Sequence, residues 1–225
     1  MVSGSTSLRR LCCAKVSKKC VPQVSSLYEN DTQQVAPGYL GLLSAVTSLA
    51  NDRIRLEPLT AAHAGELFPL LADRQVYRFI PDEPPASVAA LAERYRGLES
   101  RRSPDRSQQW LNWAIRRLED GQCAGYLQAT IHPRGTADFA FVLGSSFWGL
   151  GLARAASVLA LQALFDGYGV VSVFATTDQR NLRSSGLLTR LGFVRVPPSS
   201  YPHGEVSVSD YVFQLDKDVQ CERDS

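Results

Sequence analysis

Gly144 to Arg154 reads GSSFWGLGLAR, and this segment constrains the fold more than any other. An alternating run ends at Leu143, and a helix-forming run of Ala, Leu and Val begins just after Gly151. The chain must therefore turn from strand to helix where side chains at 149, 151 and 153 are small. Glycine there permits left-handed backbone and close approach to a ligand. A helix N-terminus adds free N–H groups and the positive end of the helix dipole, which suit an anion, typically phosphate. Two common phosphate-binding loops do not fit. A dinucleotide fingerprint needs Gly or Ala where Arg154 stands and a string of βαβ units before it. A Walker loop needs a GK[ST] ending, which is absent.

The rest of the chain supplies the frame. Ile54–Leu59 alternates and breaks at Pro58, predicting a strand. Thr60 caps an amphipathic helix carrying Ala64, Leu67, Phe68, Leu70 and Leu71, and Ser87 caps a second one through Leu91 and Tyr95 to Leu98. The run 101–109 is a polar loop. Trp110–Arg116, Gly125–Ile131 and Ala137–Leu143 are strand-like runs separated by short Gly-bearing turns, so they form an antiparallel meander. A helix from Ala153 to about Phe165, a strand Val170–Thr177, a helix Leu182–Leu191 and final strands Phe193–Val196 and Asp210–Leu215 follow. The order βαα-βββ-α-β-α-ββ is a mixed α/β layer with an antiparallel front half.

Composition narrows the class. With 225 residues, 44% hydrophobic and 20% charged, the chain suits one globular domain plus an appendage. The longest uncharged apolar stretch, Tyr39–Ala50, is about half of the ~20 residues a membrane-spanning helix needs. The first fifty residues hold five Lys/Arg and two acids; the remaining 19 basic and 20 acidic residues nearly cancel. A near-neutral body without a basic stripe argues against nucleic acid as the main partner. The five cysteines (Cys12, Cys13, Cys20, Cys123, Cys221) show no CxxC pair and no zinc-ligand spacing, as expected of reduced thiols in the cytoplasm, with no metal site. Residues 1–50 read as a disordered or loosely attached extension, 51–217 as the globular domain and 218–225 as a tail. Met1 is the sole Met and the three lysines of the extension cluster at 15–19, which places the expected biological start near Val46 or Leu49, through a non-AUG codon.

Four landmarks occur in order over Asn51–Lys217. Phe147-Trp148-Gly149-Leu150-Gly151-Leu152-Ala153-Arg154 resembles the [QR]xxGx[GA] loop of GCN5-related N-acetyltransferases (GNAT), with Trp148 at the Gln/Arg position as in the RimJ/RimL-like branch. Ala137–Leu143 is similar to that branch's "AEIGYxL" strand, and Asn181 to Ser184 with Leu191-Gly192-Phe193 to its "NxxS…LGF" segment. Ile54–Leu59 is similar to its "IRLRPL" start. The resemblance implies a three-layer α/β fold, with a mixed, mostly antiparallel sheet splayed in the middle and helices on both faces. It implies acetyl-CoA in the splay. The backbone of Val142 and Leu143 would pair with pantetheine, and Trp148, Gly149, Leu150, Gly151, Leu152, Ala153 and Arg154 would hold the pyrophosphate. Asn181 and Ser184 would lie at the pantetheine or thioester. The reaction implied is transfer of an acetyl group to a primary amine, either a protein N-terminus or a small molecule. Members of the branch often pair as homodimers, and the expectation extends to this chain.

For the chemistry, the resemblance implies Asp138 as the base, where Glu is commoner, and Ser184 as the acid that serves the departing thiolate, with Asn181 beside it. His203 and Glu205 in the late loop are alternatives for the base. Asp210 reads as structural or substrate-orienting, His132 as a turn residue, and Trp110 and Trp113 as sheet packing. Many relatives carry a Tyr acid seven residues after the Asn, where this chain has Leu188. That departure, with Asp for Glu, supports a second reading: a weak or inactive acyl-CoA-binding or regulatory protein. A nucleotide-binding oxidoreductase, a third, fails on the fingerprint.

Overall fold

The computed structural model describes residues 48–217, so the expectations for most of the N-terminal extension and for the tail lie outside the described residues. Eight strands form one sheet in the order β1-β2-β3-β4-β5-β6-β8-β7. They are β1 (Leu49–Ala50), β2 (Ile54–Pro58), β3 (Gln109–Arg117), β4 (Cys123–His132), β5 (Thr136–Leu143), β6 (Ser172–Asp178), β7 (Val194–Val196) and β8 (Asp210–Asp216). The helices are α1 (Ala64–Leu71), α2 (Val88–Leu98), α3 (Leu152–Gln162) and α4 (Leu182–Arg190). Every neighbouring pair is antiparallel except β5–β6, which is parallel.

The period-two alternation of the strands assigns the layers. Ala137, Phe139 and Leu143 of β5 enter a core shared with Leu152, Ala156 and Ala160 of α3 and Leu188 of α4. Val142 points the other way, into a core shared with Leu67 and Leu71 of α1 and Leu91 and Tyr95 of α2. Asp138 and Ala140 therefore share the α1/α2 face with Val142. Ser87 caps α2 as expected, its Oγ accepting from the Ala90 N–H at 3.1 Å. The result is the three-layer architecture and mostly antiparallel sheet that the sequence predicts.

The differences are local. Leu49 and Ala50, just ahead of residue 51, pair with Leu56 and Arg55 at the edge of the sheet. Two residues carry too short a pattern to announce a strand, and only the open edge of β2 recruits them. The last turn after α3 is a π-helical segment, Ala163–Gly167, which sequence periodicity does not distinguish from α-helix. His132 is not a turn residue; it ends β4, opposite Thr136.

One glycine is demanded by close approach. A Cβ on Gly125 would stand 2.1 Å from the Val142 carbonyl oxygen and 2.7 Å from the Leu143 Cα. Gly125→Ala must open the β4–β5 pair, and overpacking of this kind costs roughly 1–3 kcal/mol. Thermal unfolding should show a Tm lower by several degrees; an unchanged Tm would contradict the contact.

Candidate functional site

β5 and β6 pair at only three positions, Thr136↔Ser172, Ala137↔Val173 and Asp138↔Phe174. Among the described residues no strand lies against that edge of β5 beyond Asp138, although β4 follows it to Leu143 and β8 follows β6 to Asp178. The two strands thus form a V that opens toward their C-terminal ends. Each leads directly into a helix, β5 through the glycine turn into α3 and β6 into α4, so both helix N-termini stand at the same rim. Backbone groups in the V need a partner, and an extended ligand bearing amides supplies one.

At the rim, Gly149 and Gly151 both have left-handed backbone, φ 79° and 76°. A Cβ on Gly149 would meet nothing within 4 Å, so space lies open before it. Gly151 is the N-cap of α3 and offers no capping side chain, which leaves the first N–H groups of the helix for an external acceptor. Leu152 is buried and anchors the helix in the core, whereas Leu150 is 43% exposed. Ala153 is half-buried and Arg154 exposed in the first turn. The Arg53 guanidinium donates to the Leu150 carbonyl at 2.8 Å, and that of Arg183 lies 5.2 Å from the Trp148 ring centroid. Arg53, Arg154 and Arg183 make this turn electropositive. Arg53 escapes sequence inspection because it lies 97 residues from Leu150.

The two β5 residues expected to serve a ligand through their backbone differ. The Val142 carbonyl faces β4, against Gly125, and so is turned away from the V. This corrects the expectation for Val142: backbone groups alternate sides along a strand, and its register puts them on the β4 side. Leu143 has the opposite phase, but its carbonyl accepts the Trp148 indole N–H at 2.9 Å. Trp148 thereby pins the glycine turn to the end of β5.

Across the V, Asn181 is the N-cap of α4, its Oδ1 accepting from the Ser184 N–H at 3.2 Å. Leu188 is 1% exposed in the core. The position of the absent Tyr therefore carries packing here, and Ser184, one turn earlier on the same stripe, is half-buried.

At the apex of the V stands a group that the sequence showed only as separate residues. Asp138 Oδ2 lies 2.9 Å from His132 Nε2, and Oδ1 lies 2.8 Å from His203 Nδ1 and 3.0 Å from the Tyr201 hydroxyl. The imidazoles stack, centroids 3.6 Å apart at 18°. Their outer nitrogens are also engaged: His132 Nδ1 with Gln108 Nε2 at 3.2 Å, and His203 Nε2 with Thr136 Oγ1 at 2.9 Å. Trp110 Nε1 in turn donates to Gln108 Oε1 at 3.2 Å. Each ring turns one nitrogen to the Asp138 carboxylate and bonds outward through the other. The three ligand atoms lie within 4.8 Å of one another, the spacing of a metal set. All three side chains are also engaged with one another and with Gln108 and Thr136 in the hydrogen bonds just described.

Burial alone would raise the Asp138 carboxyl, but hydrogen bonds from His132 and His203, with their charge, outweigh it and hold it below the ordinary carboxylate range. A depressed folded pKa stabilises the protein at neutral pH, and that contribution disappears as pH falls from the ordinary value of 3.8 through the folded one. Asp138→Asn should cost about 1–3 kcal/mol at pH 7. Its Tm deficit should shrink as acid protonates the wild-type carboxylate, whereas a deficit constant with pH would show that charge plays no part.

Glu205 has no part in this unit, and Asp210 is the first residue of β8, opposite Asp178. Trp113 packs in the core and Trp110, half-buried, packs against the α1/α2 core, both as expected; the Trp110 indole N–H also joins the polar chain. No sequence signal linked His132 and His203, because the loop that brings His203 home is held by tertiary contacts, with Phe174 and Tyr201 around the ring and Asp138 and Thr136 bonded to it.

Comparison with known proteins gives the same assignment. Residues 53–194 match the acetyltransferase (GNAT) domain family. A T. thermophilus protein assigned as an acetyltransferase is 27% identical, with a TM-score of 0.62 over 81% of this chain and 98% of its own. Mycobacterium smegmatis RimJ, in complex with CoA-disulfide, shares the fold at 19% identity and a TM-score of 0.62, over 76% of this chain and 87% of its own. A ribosomal-protein-S5-alanine acetyltransferase from Vibrio fischeri does so at 16% identity and 0.62, over 76% and 97%. With the splayed strands, the glycine turn and the ordered landmarks all in place, the chain belongs to the GCN5-related N-acetyltransferase family.

Proposed function

We propose that this protein moves an acetyl group from acetyl-CoA to a primary amine by direct attack, the amine being a protein N-terminus or a small molecule. The observation that carries this reading is the parting of β5 from β6 after Asp138↔Phe174, with the glycine turn and two helix N-termini at the rim. In this arrangement the pyrophosphate sits on the N–H groups of Gly149–Arg154 beside Arg53, and the pantetheine runs down the V against β5. The thioester then lies near the apex, where Asp138 and its two histidines face the α1/α2 side.

The amine nitrogen, deprotonated, adds to the thioester carbonyl carbon. The C–S bond breaks as the tetrahedral adduct collapses, giving an amide and CoA thiolate. The proton released by nitrogen passes to the Asp138 unit, and the Ser184 hydroxyl supplies one to the thiolate. Holding the two reactants in line contributes most, and proton transfer contributes a further factor of about 10²–10⁴. The reaction is assigned to the cytoplasm on the cysteine usage of the sequence. Among the described residues no helix is long and apolar enough to cross a membrane.

A second reading, an acyl-CoA-binding protein with weak turnover, is favoured by the buried Leu188 at the usual acid position. Titration of acetyl-CoA into the purified protein, followed by CoA release with a panel of amines, separates the two. Micromolar binding with release supports the transferase; binding without release favours the second reading. Because Gly151 has φ 76°, any side chain there is strained. Gly151→Glu should therefore weaken binding well beyond Gly151→Ala, the excess reporting repulsion of pyrophosphate; absence of binding by the wild type would sink both readings. Ser184→Ala should lower kcat by about 10–100-fold with little change in KM for acetyl-CoA. An unchanged kcat would remove Ser184 from the proton path.

A further inference from the structure

A pocket of about 640 Å³ opens beside the C-terminal end of α2, lined by Ser100, Arg102, Ser103, Arg106 and Trp110 among others. That volume suits a ligand group rather than a few waters. The loop bearing the arginines is tightly built. Arg102 bridges to Gln109, the Ser103 N–H donates to the Gln108 carbonyl at 3.1 Å, and the Trp110 N–H donates to the Arg101 carbonyl at 2.8 Å. Arg101 and Arg106 hold left-handed backbone, φ 55° and 60°, which non-glycine residues adopt only where surroundings impose it.

The loop's sole acid, Asp105, is exposed and engaged within the loop itself, accepting from the Ser103 hydroxyl at 2.5 Å and from the Ser107 N–H and hydroxyl at 3.1 and 2.9 Å. Among the described residues neither Arg102 nor Arg106 has an ion-pair partner. Two exposed guanidinium groups on a preorganised loop, beside a half-buried indole, form a receptor for a carboxylate.

The register locates this receptor relative to the chemistry. Trp110 pairs with Thr130, Thr130 with Asp138 and Asp138 with Phe174, one row across a single face of the sheet. Two strand spacings put Trp110 about 10 Å from Asp138. An extended chain advances about 3.3–3.6 Å per residue. We infer that the acceptor is a peptide amine with an acidic side chain at its third or fourth residue, bound by Arg102 and Arg106. This rests on the reading of the Asp138 apex as the amine site.

The test uses two peptides with the same free N-terminus, one with Glu at residues three and four and one with Gln. Each is titrated into the protein saturated with CoA, then assayed for CoA release from acetyl-CoA. The acidic peptide should bind about tenfold more tightly, with a preference that shrinks as salt rises. Arg102→Ala combined with Arg106→Gly, the glycine suited to φ 60°, should erase the preference and leave the Gln peptide's affinity unchanged. Equal affinities in the wild type, including no binding of either peptide, overturn the inference, as does a preference that survives the double variant. Preferred binding of the acidic peptide without CoA release upholds the anion site and rejects the transferase reading. Release at equal rates from equally bound peptides does the reverse.

Discussion

The parting of β5 from β6 after three residue pairs is the constraint on which the rest depends. A continuous parallel sheet would consume both edges in hydrogen bonds and leave nothing for a ligand. Because the two strands are parallel and each is followed by a helix, α3 and α4 begin at the same rim, with both positive dipole ends at the mouth of the V. The glycine turn belongs to this same geometry: left-handed backbone at Gly149 and Gly151 lets the chain leave β5 and start α3 without a side chain between the helix end and the opening.

Each half of the V is held from behind. β4 follows β5 to its end, and the approach of Gly125 to the Val142 carbonyl brings those two strands closer than any side chain at 125 would allow. β8 follows β6 over its full length, so β6 can leave β5 without losing its ladder. Beneath the opening, Phe139 and Phe193 lie with centroids 6.3 Å apart, and Leu188 joins the same core. At the apex, polar contacts replace packing. The Asp138 carboxylate is stabilised by three donors, and the donors are oriented in turn by Gln108 and Thr136. This chain of hydrogen bonds runs from Trp110 on β3 to His203 in the loop before β8 and ties both sides of the split together.

Local pattern was readable wherever local forces decide. Alternation in β3, β4 and β5, the Ser87 cap and the glycine turn before α3 all stand close to where periodicity and capping place them. Asp138, Asn181 and Ser184 were named from their motifs; the structure puts Asp138 in the last β5–β6 pair and the other two at the start of α4. What went unread was contact between distant segments. His132 looked like a turn residue because nothing nearby in sequence shows that a loop seventy residues later will stack a second imidazole on it. Val142 looked available because a motif names a residue and does not say toward which neighbour its carbonyl points; register decides that.

Sequence alone determined the order of elements, the mixed layer class and the anion-suited turn, because backbone propensity, two-residue and 3.6-residue periods and glycine's freedom are properties of short segments. Tertiary structure alone decided where β5 and β6 separate, which backbone groups face the opening, and that Arg53 reaches the turn while His132 and His203 converge on Asp138. These depend on pairing register and on contacts across distant parts of the chain, set by the packing of whole layers against one another rather than by any stretch of residues taken singly.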